Sequence, residues 1–171
     1  MGQVDLGWDK VLFLFFDYPQ KVFGLRELSR LSKTPKSSLQ RVLTSLIKQK
    51  LILKNQTGYR SAETNLEYRL IKRNYLITRI YNSGLVDFLQ RSTLASTIIL
   101  FGSGAKGEYV HESDLDIFVQ AKEKSLNLHP FEKKLKRTIN LIFKEDLNSF
   151  SPELLNNIVN GYKLSGYIKI K

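Results

Sequence analysis

The fold is decided by the segment IILFGSGAKGEYVHESDLDIFV, residues 98–119. Thr97 to Phe101 is a short run of apolar and β-branched residues, which is typical of a buried strand. Gly102, Ser103, Gly104 and Gly107 interrupt this pattern, and Leu115 to Val119 is apolar again. The segment therefore predicts two strands joined by a glycine-rich turn.

The turn carries residue types that suit phosphate and metal binding. Gly102 and Ser103 lie where a strand would lead into a helix, so the backbone could approach an anion closely. Asp114 and Asp116 are two residues apart on an extended segment, so both carboxylates project from one face. Two carboxylates suit Mg²⁺, whose remaining ligands are often water and substrate phosphates. This combination predicts phosphoryl or nucleotidyl transfer, with an acidic surface loop after a glycine turn as the alternative.

The same residues resemble the signature of a known family. Gly102-Ser103, a spacer through Gly107 and Glu108, and Ser113 to Asp116 are similar to the motif of the DNA polymerase β-like nucleotidyltransferase superfamily. The resemblance extends over about residues 93–171 and favours the minimal, MNT-type branch of small prokaryotic proteins. It implies an NTP substrate with Mg²⁺ or Mn²⁺, and a hydroxyl acceptor that can be a toxin-like partner protein. The implied nucleotide-binding residues are Gly102, Ser103, Lys106 and Ser113, and the implied catalytic and metal-binding residues are Asp114 and Asp116.

One position departs from that family. Catalytic members usually carry a third carboxylate on the strand after the acidic pair, and the corresponding residue here is Asn140. An amide oxygen can coordinate a metal weakly, but it has no charge and accepts no proton at neutral pH. Glu145 and Asp146 are alternative carboxylates, although they follow the apolar strand and are expected in a turn. Two functions therefore stay open: an active nucleotidyltransferase, and a DNA-binding regulator whose nucleotidyltransferase-like half is catalytically silent.

Composition describes an ordinary globular protein with an uneven charge. The 171 residues are 42% hydrophobic and 25% charged and contain no cysteine, which excludes disulfides and fits the cytoplasm. The apolar run Val11 to Phe16 is too short for a signal or membrane segment, so no membrane partner is expected. Residues 1–92 hold 16 Lys and Arg against 7 Asp and Glu, whereas residues 93–171 hold 11 against 9. The basic half is expected to contact a polyanion.

The basic half has the periodicity of a helical DNA-binding domain. Asp9 to Tyr18 predicts a first helix, Leu25 to Leu31 a second, and Pro35 to Lys50 a third, whose apolar stripe from Leu39 to Ile47 recurs at i, i+3, i+4, i+7 and i+8. Leu51 to Leu53, a polar turn and a return near Tyr68 to Leu70 predict a two-stranded wing. The polar face of the third helix carries donors for phosphates and bases, namely Lys36, Ser37, Ser38, Gln40, Arg41 and Thr44.

These elements resemble the winged helix-turn-helix of prokaryotic regulators, which implies a recognition helix in the major groove of double-stranded DNA. Such regulators often bind two half-sites, which favours a homodimer. The alternatives are a dimerisation or protein-docking module and a merely solvated basic face. The expected fold is α+β: a winged helix domain over 1–72, a helical connector over 73–92 broken near Gly84, and a nucleotidyltransferase-like α/β domain with a small mixed sheet over 93–171.

The rest of the second half predicts alternating helices and strands. His129 to Thr138 reads as a helix, Ile139 to Phe143 as a strand, Ser151 to Gly161 as a capped helix and Tyr162 to Ile170 as a last strand. The basic run from Lys133 to Arg137 is interpreted as a solvated helix face, with triphosphate or nucleic-acid contact as the alternative. His111 and His129 are interpreted as surface residues.

Overall fold

The chain forms two compact units, Met1–Leu70 and Ile71–Lys171. The structure is a computed structural model that describes residues 6–147 and 150–168, with side chains from Lys10 onward. The division falls inside helix α4 (Leu66–Ser83), close to the predicted end of the first domain at residue 72. It groups the predicted connector with the second unit.

The first unit is built from three helices and a β-hairpin. The helices are α1 (Leu6–Asp17), α2 (Leu25–Ser32) and α3 (Lys36–Lys48), and the hairpin strands are β1 (Ile52–Lys54) and β2 (Tyr59–Ser61). The three predicted helices are confirmed, and their apolar residues contribute to the core, with Phe15, Phe16, Leu28, Leu39, Leu43 and Leu46 fully buried beside Phe23 from the segment between α1 and α2. Ile47, at the end of the predicted stripe, remains 36% exposed.

The second hairpin strand was predicted in the wrong place. The chain turns immediately, because the Asn55 side-chain oxygen accepts hydrogen bonds from the N–H groups of Thr57 and Gly58 at 3.1 and 2.8 Å. The return strand β2 therefore begins at Tyr59, and residues 68–70 belong to α4 instead. Asn65 opens that helix by accepting a hydrogen bond from the N–H of Glu67 at 2.9 Å.

Two consecutive helices begin the second unit. Helix α4 is followed by α5 (Leu85–Thr93), and the predicted break between them is confirmed at Gly84, which has a φ of +84°. Of the apolar positions predicted for these helices, Leu76, Ile80, Leu85 and Leu89 are buried, and Phe88 is half-buried. These helices therefore contribute apolar core to the second unit rather than serving only as a connector.

A four-stranded mixed sheet forms the rest of the second unit. Its elements are β3 (Thr97–Leu100), α6 (Gly102–Lys106), β4 (Leu115–Val119), α7 (His129–Leu135), β5 (Ile139–Phe143), α8 (Pro152–Val159) and β6 (Tyr162–Gly166). The strand order is β5-β4-β3-β6, with β4 and β5 parallel and the other two pairs antiparallel. The predicted α+β class with a small mixed sheet is confirmed.

Several predicted boundaries in this unit are corrected by backbone geometry. Helix α7 ends at Leu135 instead of Thr138, because Lys136 adopts a left-handed conformation with a φ of +57°. The Ser151 cap is confirmed, since its hydroxyl accepts a hydrogen bond from the N–H of Leu154 at 3.4 Å. Strand β6 ends at Gly166, and the last two residues of the predicted strand lie outside the described residues.

The strand directions bring the candidate site to one edge of the sheet. Leu100, at the end of β3, pairs with Ile117 near the start of β4 and with Tyr162 at the start of β6. Asp116, also near the start of β4, pairs with Asn140 near the start of β5. The end of β3 and the beginnings of the other three strands therefore lie along the same edge.

Candidate active site at the edge of the mixed sheet

Gly102 and Asp116 are in direct contact at this edge. Gly102 has a φ of +67°, and a β-carbon built on it would lie 2.6 Å from Asp116 Oδ2. The Phe101 N–H, one residue earlier, donates to the Asp116 carbonyl at 3.0 Å. A side chain at position 102 would thus be both strained and in collision with the carboxylate, which explains the glycine.

Asn140 contacts the other oxygen of the same carboxylate. Its side-chain Nδ2 donates a hydrogen bond to Asp116 Oδ1 at 3.1 Å, and the two residues are opposite each other in the parallel ladder. The residue where a third carboxylate was expected therefore lies beside the acidic pair. It holds Asp116 as a neutral donor rather than adding a third negative charge to the acidic pair.

Asp114 is exposed just before β4, at the end of a loop that a buried arginine holds in place. Arg137 is 7% exposed, and its Nη1 donates to the carbonyl oxygens of Val110, His111 and Ser113, the last two at 3.2 and 2.9 Å. Its guanidinium also lies 4.7 Å from the centre of the Tyr109 ring. Interpreting Arg137 as part of a solvated helix face was wrong, because its carbonyl partners lie on a distant loop that no local pattern indicates.

The other predicted nucleotide-binding residues occupy α6 and the loop after it. Ser103 is half-buried in the first turn of α6, and Lys106 is exposed at its end. The first N–H groups of a helix have no partner within the helix, and no side chain caps them here. The Ser113 hydroxyl accepts a hydrogen bond from the Val110 N–H at 2.9 Å, which assigns it a role in the turn before Asp114.

The donor set fits a hard divalent cation held by two carboxylates. Within residues 6–147 and 150–168, no three His, Cys, Asp or Glu side chains are grouped in a way that could hold a metal ion. Asp114 is exposed and Asp116 partly so, which leaves carboxylate oxygens accessible from the same edge. Mg²⁺ commonly takes one or two carboxylates and completes its shell with water and substrate phosphates. The two aspartates therefore suit Mg²⁺ with a phosphate substrate.

Glu145 and Asp146 cannot replace the missing third carboxylate. They follow the end of β5, whereas Asn140 lies near its beginning. The Glu145 carbonyl accepts a hydrogen bond from Gln120 Nε2 at 3.1 Å, and Gln120 directly follows β4. Both residues are therefore at the opposite edge of the sheet from Asp116.

A polar cavity of about 760 Å³ borders the site on the side of β5. Its lining includes Ser113, just before Asp114, and Thr138, two residues before Asn140. His111 and His129 are exposed, as predicted, but they line this cavity together, which their separation in sequence did not indicate. Of the basic run, Lys133, Lys136 and Arg137 also line it, while Lys134 donates to the Ser83 carbonyl at 3.1 Å.

The residues predicted to contact DNA share one surface of α3. All six are exposed, and only the Thr44 hydroxyl is engaged within the helix, donating to the Gln40 carbonyl at 2.9 Å. The set is Lys36, Ser37, Ser38, Gln40, Arg41 and Thr44. Among the described helices, none combines the length and apolar character needed to cross a lipid bilayer.

Comparison with known proteins supports a nucleotidyltransferase-like domain in the second unit. Residues 84–164 match the family described as polymerase beta, nucleotidyltransferase. The match includes Gly102, Ser103, Asp114, Asp116 and Asn140 and covers slightly under half of the chain. The second half of the chain therefore contains a nucleotidyltransferase-like domain.

One similar solved structure is described as the crystal structure of the toxin-antitoxin with AMP-PNP. The identity is 27%, the alignment covers 50% of this chain and 74% of that chain, and the TM-score is 0.39. No curated protein matches the chain.

The Gly102–Asp116 contact is testable by a double-mutant cycle in unfolding experiments. Gly84→Ala introduces a β-carbon at a positive φ with nothing within 4 Å, and we expect it to cost about 1–2 kcal/mol. Gly102→Ala adds the collision with Asp116 and should cost about 2–5 kcal/mol. In an Asp116→Ala background the cost of Gly102→Ala should return to that of Gly84→Ala.

Denaturant unfolding of the native chain and the four variants measures the coupling, since both glycines lie in the second unit. A cost of Gly102→Ala that is independent of residue 116 would show that the two residues are not in contact.

Proposed function

We propose that this chain transfers a nucleoside monophosphate from an NTP to a hydroxyl acceptor, with Mg²⁺ held by Asp114 and Asp116. The acceptor class is a hydroxyl of a partner protein, as the resemblance to minimal nucleotidyltransferases implies. The proposal rests mainly on one observation. Gly102, which has no β-carbon, lies against one oxygen of the Asp116 carboxylate, and the Asn140 side chain donates a hydrogen bond to the other oxygen.

The edge of the sheet provides distinct places for the two parts of the reaction. The backbone N–H groups of Gly102 and Ser103 would bind triphosphate oxygens, and Asp114 and Asp116 would bind the cation. When bound, Mg²⁺ neutralises the triphosphate and the charge that develops on the departing pyrophosphate. The acceptor would enter from the polar cavity beside Ser113 and Thr138.

The reaction forms a bond between the acceptor oxygen and the α-phosphorus and breaks the bond from that phosphorus to the bridging oxygen. Pyrophosphate leaves with the electron pair of the broken bond. Asn140 cannot accept the proton of the attacking hydroxyl, so the proton must pass to water or to a carboxylate. Arg137 contributes by fixing the loop that ends at Asp114.

The first unit is proposed to bind double-stranded DNA as a winged helix-turn-helix. Its order of three helices and an antiparallel hairpin supports this, together with the exposed cationic and hydroxyl side chains of α3. Between Lys21 and Arg60 there are ten Lys and Arg against one acid, Glu27. Association with DNA should therefore be strongly salt-dependent, and two half-sites would suit a homodimer.

A second function is favoured by a specific observation, the amide at position 140. The chain would then be a DNA-binding regulator whose nucleotidyltransferase-like half binds a nucleotide without transferring it. Asn140 donates to Asp116 where catalytic relatives would place a negative charge, which removes one metal ligand and the base. Loss of transfer with retention of nucleotide binding would define this case.

Transfer can be tested with each of the four labelled NTPs, Mg²⁺ and candidate acceptor proteins. We expect labelled product from the native chain and a loss of at least about a hundredfold in Asp116→Ala, because cation binding contributes several kcal/mol to the transition state. Asp87→Ala removes an exposed acid of α5 and serves as the matched control, with unchanged transfer.

Asn140→Asp separates the two proposed functions. Transfer only in that variant would support the silent regulator and contradict the native transferase. Absence of transfer from both proteins with all four nucleotides would contradict nucleotidyl transfer altogether.

DNA binding can be tested by fluorescence anisotropy with a mixed-sequence duplex at two salt concentrations. Arg41→Ala should weaken binding roughly tenfold, since an exposed arginine on a recognition helix contributes phosphate or base contacts. Lys10→Ala removes the same charge from the exposed surface of α1 and should have a much smaller effect. Equal losses in both variants would indicate only general charge attraction, and no binding at low salt would refute the DNA-binding proposal.

A further inference from the structure

Arg73 on α4 has an unsatisfied polar group close to the candidate site. Its Nε is buried and has no hydrogen-bond partner. Within the described part of the chain, its guanidinium forms no ion pair and lies over the ring of Tyr162. A buried donor without a partner is costly, so such a group points to a ligand that supplies the acceptor. Arg73 also lies outside the residues matched by the nucleotidyltransferase family.

The packing of α4 places Arg73 beside the glycine-rich turn. A β-carbon on Gly104, in α6, would lie 3.3 Å from Leu76 Cδ2, so α4 and α6 are in close contact there. Arg73 is three residues before Leu76, and residues at this spacing share a helix face. The arginine is therefore on the side of α4 that faces α6.

The contact with Tyr162 fixes the position along the sheet. The Arg73 Cζ lies 5.8 Å from the centre of the Tyr162 ring. Tyr162 is the first residue of β6 and pairs with Leu100, which is two residues before Gly102. Arg73 is therefore at the same edge of the sheet as Gly102 and Asp116.

The strand order places Arg73 on the side of the reacting phosphorus from which pyrophosphate would leave. Asn140, where the acceptor-side acid was expected, is on β5 at one margin of the sheet, and Tyr162 is on β6 at the other. In an in-line displacement the attacking and leaving oxygens lie on opposite sides of the phosphorus. With the acceptor on the β5 side, the leaving pyrophosphate is on the β6 side, next to Arg73.

We propose that Arg73 binds the β- and γ-phosphates of the NTP whose triphosphate is held at Gly102 and Ser103. The inference rests on the proposed function, because it takes the triphosphate to be at that turn. A guanidinium forms paired, charge-assisted hydrogen bonds with phosphate oxygens, which would satisfy its unpartnered donor. Arg73 thus selects triphosphates over monophosphates.

The test is binding of NTP, NMP and inorganic tripolyphosphate, each with Mg²⁺, measured by isothermal titration calorimetry on the full chain. Arg73→Gln should weaken binding of NTP and of tripolyphosphate about ten- to a hundredfold and leave NMP binding within about twofold. Arg73→Lys should restore only part of the loss, because a lysine provides a point charge without the planar fork. Arg91→Gln, an exposed arginine of α5, is the charge-matched control and should bind as the native chain does.

The melting temperature provides an independent readout. The rise in melting temperature on adding tripolyphosphate with Mg²⁺ should be smaller in Arg73→Gln than in the native chain, whereas loss of a purely structural arginine would leave that ligand-induced rise unchanged. Equal weakening of NMP and NTP, or unchanged NTP affinity in Arg73→Gln, would overturn the inference while the proposed function stands. If the native chain binds none of the four NTPs, the proposed function fails and this inference with it.

Discussion

The second unit depends on the close approach of Gly102 to the Asp116 carboxylate. The approach requires antiparallel pairing of β3 and β4, a positive φ at residue 102 and the absence of a β-carbon there. Together they bring a turn with free backbone N–H groups to a carboxylate at the sheet edge, and every chemical role proposed for this unit follows from that proximity.

Two arginine side chains from outside the motif lie near this edge of the sheet. Arg137 donates to backbone carbonyl oxygens of the loop between α6 and β4, so it stabilises the conformation of that loop. Arg73 has no such partners, so its charge is available to an anion. Asn140 adds a neutral hydrogen bond to Asp116 where a third negative charge was expected. The balance of charge at the edge is thus less negative than in a three-carboxylate site.

The motif could be predicted from the sequence because its signals are local. A reader of the sequence can recognise two apolar strands around a glycine-rich turn, and the Asp-Leu-Asp motif after it, without tertiary information. The apolar stripes of α1 and α3 are local signals of the same kind. The second hairpin strand was misplaced because Tyr68 to Leu70 suits a strand or a helix, and Asn65 decides between them by opening α4. Arg137 and Arg73 were missed because their partners lie at least 24 residues away in the sequence, as for Ser113 and Arg137. No pattern along the chain indicates such contacts.

The most direct measurement is a crystal structure of the chain with Mn²⁺ and a non-hydrolysable NTP analogue, with the metal located by its anomalous signal. The account predicts a metal peak about 2.1 Å from carboxylate oxygens of Asp114 and Asp116, with the triphosphate against the backbone of Gly102 and Ser103. A metal or triphosphate bound elsewhere, with the edge around Asp116 empty, would contradict it.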